Sequence, residues 1–209
     1  MDLIILGTGG HAKVASQVFF ENEENRILGY VDFQKNWVPD HLWLGSDSEL
    51  EKIYKKGARN AFVAIGNNNI RNNLLSRLKE IGFNLPCIIS RAAYVAPSAI
   101  VREGSLIMPG AVVNASTTIG RGAIINTNAS VDHDCIIGDS VHIAPGVSLA
   151  GGVSVGRETF IGVGSSVRDH VIIGHNSLIG AGTVVVDNLD SGFIYYGVPA
   201  KKVKRNETR

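Results

Sequence analysis

His133 and Asp134 are neighbours in the chain and supply the residue types that general-base chemistry requires. A neutral imidazole takes up a proton near pH 7. A carboxylate held against its other ring nitrogen fixes the tautomer and raises the basicity. Side chains one residue apart can pair in this way only where the backbone turns between them. His142 lies nine residues further on. His41, His170 and His175 have no such polar company and read as surface. His11 closes a different kind of run, Gly7-Thr8-Gly9-Gly10-His11-Ala12, which follows the apolar residues 3–6. The Gly-x-Gly-x-x-Ala spacing after a strand, with Asp32 at the end of the next strand, outlines a phosphate-binding fingerprint. Its glycines admit a ligand close to the backbone, and its helix N-terminus favours an anion. A tight strand-to-helix turn would use the same residues. A segment of about ninety residues supplies one mononucleotide half and not two. A nucleotide-sugar diphosphate therefore suits it better than NAD.

The element that must position His133 is a repeat. Every sixth position from 95 to 185 is Val, Ile or Leu, sixteen times without a miss. Four residues after each aliphatic the side chain is small, from Ala99 to Thr183, so Cys135 is expected to face inward as a small hydrophobe. A period of six is not helical and matches a parallel β-solenoid. In every third hexad a corner position holds Gly110, Asn128, Gly146, Gly164 or Gly182, as a backbone at positive φ demands. A second class places Gly120, Gly138, Gly156 and Gly174 just after the aliphatic. The splitting predicts a triangular prism of eighteen residues per coil and a little over five coils. Eighteen-residue arithmetic sets Gly151 over His133 and Ala181 over Val163. It also puts His133 and His142 half a coil apart, on different sides of one prism, so that both can meet one ligand only across a subunit interface. Asn126 sits in the coil of His133, where an asparagine ladder at the corner is the expected role.

Ahead of the repeat, strand patterns at residues 3–6, 27–33, 61–65 and 85–89 alternate with helical patterns. Val14, Val18 and Phe19 mark the first helical face. Ser46 and Glu49 form a capping-box signature before Leu50. Ile70, Leu74, Leu78 and Ile81 mark a helix stopped by Gly82. Alternation of this kind predicts an α/β, Rossmann-like domain with a doubly wound parallel sheet over residues 1–90, a β-helix over 91–190 and a tail over 191–209. The tail, with Tyr195, Tyr196 and a basic run, is placed to close the last coil.

The 209 residues are 44% hydrophobic and 19% charged, with a net charge of +1, which gives no electrostatic case for nucleic acid or an anionic membrane. Two cysteines suit neither a disulfide framework nor a metal site, and no histidine spacing suggests zinc. Residues 1–6 lead straight into a strand pattern, and no apolar run reaches membrane-spanning length, so a cytoplasmic protein is expected.

The combination resembles the hexapeptide-repeat acyltransferases with a left-handed β-helix, and within them the NeuD/PglD-type sugar acetyltransferases. The residues that carry the resemblance are Gly7-Thr8-Gly9-Gly10-His11, Ala64-Ile65-Gly66-Asn67, Val131-Asp132-His133-Asp134-Cys135-Ile136-Ile137-Gly138, His142-Ile143-Ala144-Pro145-Gly146 and Gly197-Val198-Pro199-Ala200-Lys201. The resemblance implies a homotrimer that uses acetyl-CoA, without a metal, to acetylate a sugar. It implies His133 as base and Asp134 as its orienter, in place of the Glu of some members. His142, Gly151, Val163 and Ala181 would meet acetyl-CoA. Gly9, Gly10, His11, Asp32 and Gly66 would bind the nucleotide of the acceptor. A UDP-linked 4-amino-4,6-dideoxy sugar is the preferred acceptor, with a sialic acid O-acetylated, or a GDP-linked perosamine-type sugar, as alternatives. A non-catalytic binding solenoid is the rival of another class.

Overall fold

The structure, a computed structural model, describes residues 1–207. Three strands, β1 (Asp2–Leu6), β2 (Arg26–Val31) and β3 (Ala61–Val63), form a parallel sheet in the order β2-β1-β3. Successive side chains of a strand point to opposite faces, and the two faces are covered by different helices. Leu3, Ile5 and Phe62 share a cluster with α1 (Gly10–Phe19). Ile4, Leu6 and Val63 share another with α2 (Leu50–Lys55) and α3 (Asn68–Ile81). The sheet is therefore doubly wound, as expected.

Several local expectations are corrected. Val18 and Phe19 of α1 are buried as expected, but Val14 is 45% exposed, and Ala12, Ala15 and Ser16 complete the buried face. On α3 the buried stripe is Asn68, Arg71, Leu75 and Leu78, whereas Ile70 is 49% exposed. The stripe is displaced because the inner side of α3 meets the solenoid as well as the sheet, and polar groups can be satisfied there. The capping box does not form: Ser46 Oγ bonds to Ser48 Oγ at 2.7 Å, and a short 3-10 turn over Asp47–Glu49 leads into α2. The fourth strand, β4 (Ile88–Ile89), leaves the small sheet and pairs with Leu106–Ile107 of the solenoid. Ile89 lies one hexad before Val95, so the repeat begins earlier than the pattern of uninterrupted aliphatics indicates.

The solenoid continues in two-residue strands from β4 to β20 (Val184–Val185), then β21 (Phe193–Tyr196). Each pairs in parallel with its counterpart in the next coil, as Ile124–Ile125 does with His142–Ile143. Eighteen strands from β4 to β21, three per coil, give six coils against the little over five expected, because β4 and β21 each add a strand beyond the sixteen hexads. Ile107, Ile125, Ile143, Ile161 and Ile179 of one face are all 0% exposed, as is Cys135. Burial of each such side chain contributes about 1.5–3 kcal/mol, so the stacked aliphatics hold the coils together. All three corners, not one, are left-handed: Ser116, Asp134 and His170 have φ of 58°, 57° and 55°, and Ser140, Glu158 and Asn176 have 53°, 59° and 50°. Glycine fills one corner except at Asn128, whereas the other two mix glycine, as at Gly122 and Gly152, with Ser, Asp, Glu, Asn and His and so left no single-residue signature. The second glycine class has another cause. A Cβ on Gly138 would lie 2.6 Å from the backbone nitrogen of Arg157 in the next coil.

The tail folds back as β22 (Lys201–Arg205), antiparallel to β21, and so closes the last coil; its final two positions lie outside the described residues. The two parts of the chain meet over α1 and α3. Leu106, Met108 and Ile124, on the outer side of one prism face, join the cluster that holds Ala15 and Val18. Arg71 bridges the other contact from α3. Its Nε donates to Gly122 O at 2.7 Å, its Nη2 to Ser140 O at 2.8 Å and its Nη1 to Ile65 O at 2.8 Å. No helix among the described residues is long and apolar enough to cross a membrane.

Candidate active site

The corner after Val131 turns left-handed at Asp134, and that turn brings two sequence neighbours together. His133 Nδ1 and Asp134 Oδ2 lie 2.8 Å apart. A carboxylate oxygen only accepts, so Nδ1 carries the proton and Nε2 keeps its lone pair. The corner is held on both sides, since Asp134 N donates to Ala115 O one coil below and Gly152 N donates to His133 O one coil above, each at 2.9 Å. Both side chains are exposed. The Asp134 hydrogen bond raises the His133 pKa above its ordinary value, and the nearby charge of Asp132 adds to it. Gly151 lies against the ring: a Cβ there would be 2.6 Å from Cε1 and 2.6 Å from Nε2. The absent side chain is what leaves Nε2 approachable.

His142, Val163 and Ala181 come together elsewhere, in a groove of about 400 Å³ that Asn126, Phe160 and Tyr196 help to line. His142 belongs to a prism face and His133 to a corner between the other two faces. Gly151 stays with His133 and takes no part in the groove. His142 is buried, its ring edge-on to Phe160 at 5.0 Å between centroids. Asn126 Nδ2 approaches its Nε2 at 3.1 Å, so Asn126 serves the groove and not the expected ladder. With Nε2 accepting from the amide, Nδ1 carries the proton and points to Gly66 O at 3.4 Å. Burial, with Arg71 and His11 nearby, pushes the His142 pKa down to about 3.

His11 reaches the same place from the other domain, 6.1 Å from His142 between ring centroids. Burial pushes its pKa down to about 4, with Arg71 adding to the effect, and its Nε2 is buried without a hydrogen-bond partner. Gly66 caps this cluster, its carbonyl also accepting from Arg71 Nη1 at 3.1 Å. Gly9 and Gly10 open α1, and a Cβ at either would meet nothing within 4 Å, so these two glycines leave open space above the helix N-terminus. Gly7 differs: its φ is 111° and a Cβ would lie 2.8 Å from Ala64 O, so the fold itself requires it. Asp32 folds back on the glycine loop, where its Oδ2 accepts from Thr8 N at 2.8 Å and Thr8 Oγ1 at 2.9 Å. Beside it an apolar cavity of about 250 Å³ opens between Phe33, Ile65 and Ile70.

Sequence reasoning missed Arg71, Phe160 and this cavity. A charged residue in register with Leu75 and Leu78 was the signal for Arg71. Phe160, one coil above His142, was legible from the eighteen-residue spacing. The cavity depends on how α3 settles against the sheet, which no local pattern encodes. Among the described residues no group of histidines, cysteines or carboxylates is arranged to hold a metal ion.

Known proteins share this two-part architecture. Residues 2–78 match the PglD N-terminal domain, and residues 116–151 and 152–187 match the bacterial transferase hexapeptide, six repeats each. A histidine variant of perosamine N-acetyltransferase from Caulobacter crescentus, in complex with CoA and GDP-perosamine, superposes with a TM-score of 0.93 at 39% identity, over 97% of each chain. The acetyltransferase domain of PglB from Neisseria gonorrhoeae FA1090, in complex with acetyl coenzyme A, superposes with a TM-score of 0.91 at 35% identity, over 97% of this chain and 98% of that one. Both relatives are acetyltransferases, both hold CoA or its acetyl ester, and both share nearly the whole of this chain. The chain is therefore an acetyl-CoA-dependent acetyltransferase and belongs to the hexapeptide-repeat sugar acetyltransferases with a PglD-type N-terminal domain.

Proposed function

We propose that the enzyme transfers the acetyl group of acetyl-CoA to the primary amine of a sugar linked to a nucleoside diphosphate. His133 is the general base and Asp134 its orienter. Nε2 takes a proton from the amine as the amine attacks the thioester carbonyl, and the thiolate of CoA leaves as the tetrahedral intermediate collapses. The imidazolium then returns its proton to the thiolate. The observation that carries the reading is the 2.8 Å pairing of His133 with Asp134, which leaves Nε2 free for the acceptor.

His142, Val163 and Ala181 are assigned to acetyl-CoA through the groove they line, and Gly151 to the space beside the base. Gly9, Gly10, His11, Asp32 and Gly66 are assigned to the nucleotide end of the acceptor. The open helix N-terminus suits a diphosphate, and the apolar cavity beside Asp32 suits a base. The Caulobacter crescentus likeness puts a GDP-linked amino sugar beside the UDP-linked one expected from sequence. A homotrimer accounts for a base and a groove on different sides of one prism. Its support is the column of Ile100, Ile136 and Ile172, each 56–59% exposed, along one face. The cytoplasm supplies both substrates and is the compartment the reading implies.

The test is an assay of free thiol with acetyl-CoA and a panel of GDP- and UDP-linked 4-amino sugars and sialic acids. Thiol release with a nucleotide-linked amino sugar, giving the N-acetyl product, is the expected result. Release only with a sialic acid, or with no acceptor on the panel, would contradict it.

A further inference from the structure

The corner that carries His133 holds a second carboxylate. Asp132 Oδ1 accepts from the backbone N–H of His133 at 2.8 Å and from Asn114 Nδ2, one coil below, at 2.9 Å. The same contact to the following residue recurs with an amide: Asn114 Oδ1 accepts from Ala115 N at 2.9 Å, and Asn126 Oδ1 from Thr127 N at 2.8 Å. An asparagine therefore satisfies the geometry of this turn, and the charge at position 132 is not needed to form it.

We propose that Asp132 is a positioning residue for His133, which holds the backbone of the turn by its hydrogen bond and stabilises the imidazolium by its charge. The inference rests on His133 acting as the base. The groups that face the ring are few. Asp134 is bonded to Nδ1, Gly151 and Gly152 lie above, and Asn114, Ala115 and Ser116 of the coil below are uncharged. His170, against Gly152, and Asp169, one coil above Gly151, are the titratable groups further along this column. Asp134 and Asp132 are thus the two charges beside the ring, and both favour its protonated form. The base works unprotonated, so activity rises with pH through the His133 pKa, and loss of either carboxylate moves that limb to lower pH.

The experiment compares Asp132→Asn with the wild type in two readouts: the titration of the His133 ring by NMR and the acid limb of kcat/KM. Asparagine keeps both hydrogen bonds, so its fold and the KM for acetyl-CoA should be unchanged. Both the ring titration and the acid limb should move together to lower pH, with a several-fold fall in kcat on the plateau as the base weakens. Asp132→Ala should show the same displacement and a larger fall in kcat, because the turn is also loosened. A His133 ring that titrates in Asp132→Asn where it does in the wild type would overturn the proposal. A ring that shifts while the acid limb stays in place would leave the charge effect standing and remove His133 as the base, so the two failures are told apart.

Discussion

At the scale of the residue, the proposed chemistry depends on a left-handed turn at Asp134. With φ of 57° there, adjacent side chains bend toward each other and meet. Sequence reading found the pair but not the turn, because Asp is one of the few residues that enters this region without announcing it. Asp134→Asn keeps the backbone conformation and removes the charge. Its kcat/KM should fall by up to about 10⁴-fold, the loss that follows when the carboxylate fixing a catalytic imidazole becomes an amide, and the acid limb should move to lower pH. Gly151→Ala tests access to Nε2. A methyl group 2.6 Å from the ring must displace it, whereas the backbone of Gly151 is not in the left-handed region and accepts alanine. The expected outcome is a large loss of kcat with a thermal midpoint close to that of the wild type. A fully active Gly151→Ala enzyme would mean that the ring is approached from elsewhere.

At the scale of the element, the hexad repeat was legible almost entirely, because an inward aliphatic and a small partner recur without insertion. The stripe on α3 was not. Ile70 and Leu74 look like its buried side, yet Arg71 takes the interior because five carbonyl and amide oxygens await its donors there. A sequence pattern ranks residues by polarity and cannot see partners that another domain supplies. The first strand of the solenoid was assigned to the small sheet for the same reason. Within the coils the two glycine classes predict different costs. Gly138→Ala puts a Cβ 2.6 Å from backbone of the next coil, where nothing flexible can yield. It should destabilise the prism by about 1–3 kcal/mol, as overpacking does. Gly164→Asn, at a corner with φ of 68° and open space around it, repeats the setting of Asn128, with a glycine one coil below in each case, and should cost a few tenths of that. Denaturation curves of the two variants measure the contrast directly. Equal losses would contradict the assignment of contact to one class and conformation to the other.

At the scale of the whole molecule, the seam between the domains holds two neutral histidines beside a buried arginine. His11 and His142 titrate near 4 and 3 in the folded chain, against 6.5 when unfolded. The unfolded state therefore binds protons that the folded state does not, and stability is complete above about 6.5 and declines as the pH falls toward 4 and 3. A thermal midpoint that drops steadily below neutrality, with a shallower drop in His142→Phe, is the expected record; a flat profile would contradict neutral histidines at the seam. The seam also brings Gly66 and His11 of the first domain against His142 in the groove, so the proposed nucleotide end and the proposed CoA groove adjoin. His133 lies on another side of the prism, and the proposed trimer would bring it to the groove of a neighbouring subunit. The proposed function turns on removal of the acceptor proton by His133. The most direct measurement is steady-state turnover of His133→Asn with acetyl-CoA and the nucleotide-linked amino sugar that the wild type accepts. With the fold and the KM for acetyl-CoA preserved, kcat should fall by about 10²–10⁴-fold, the usual contribution of a general base. A variant that keeps the wild-type kcat would show that the proton leaves by another route.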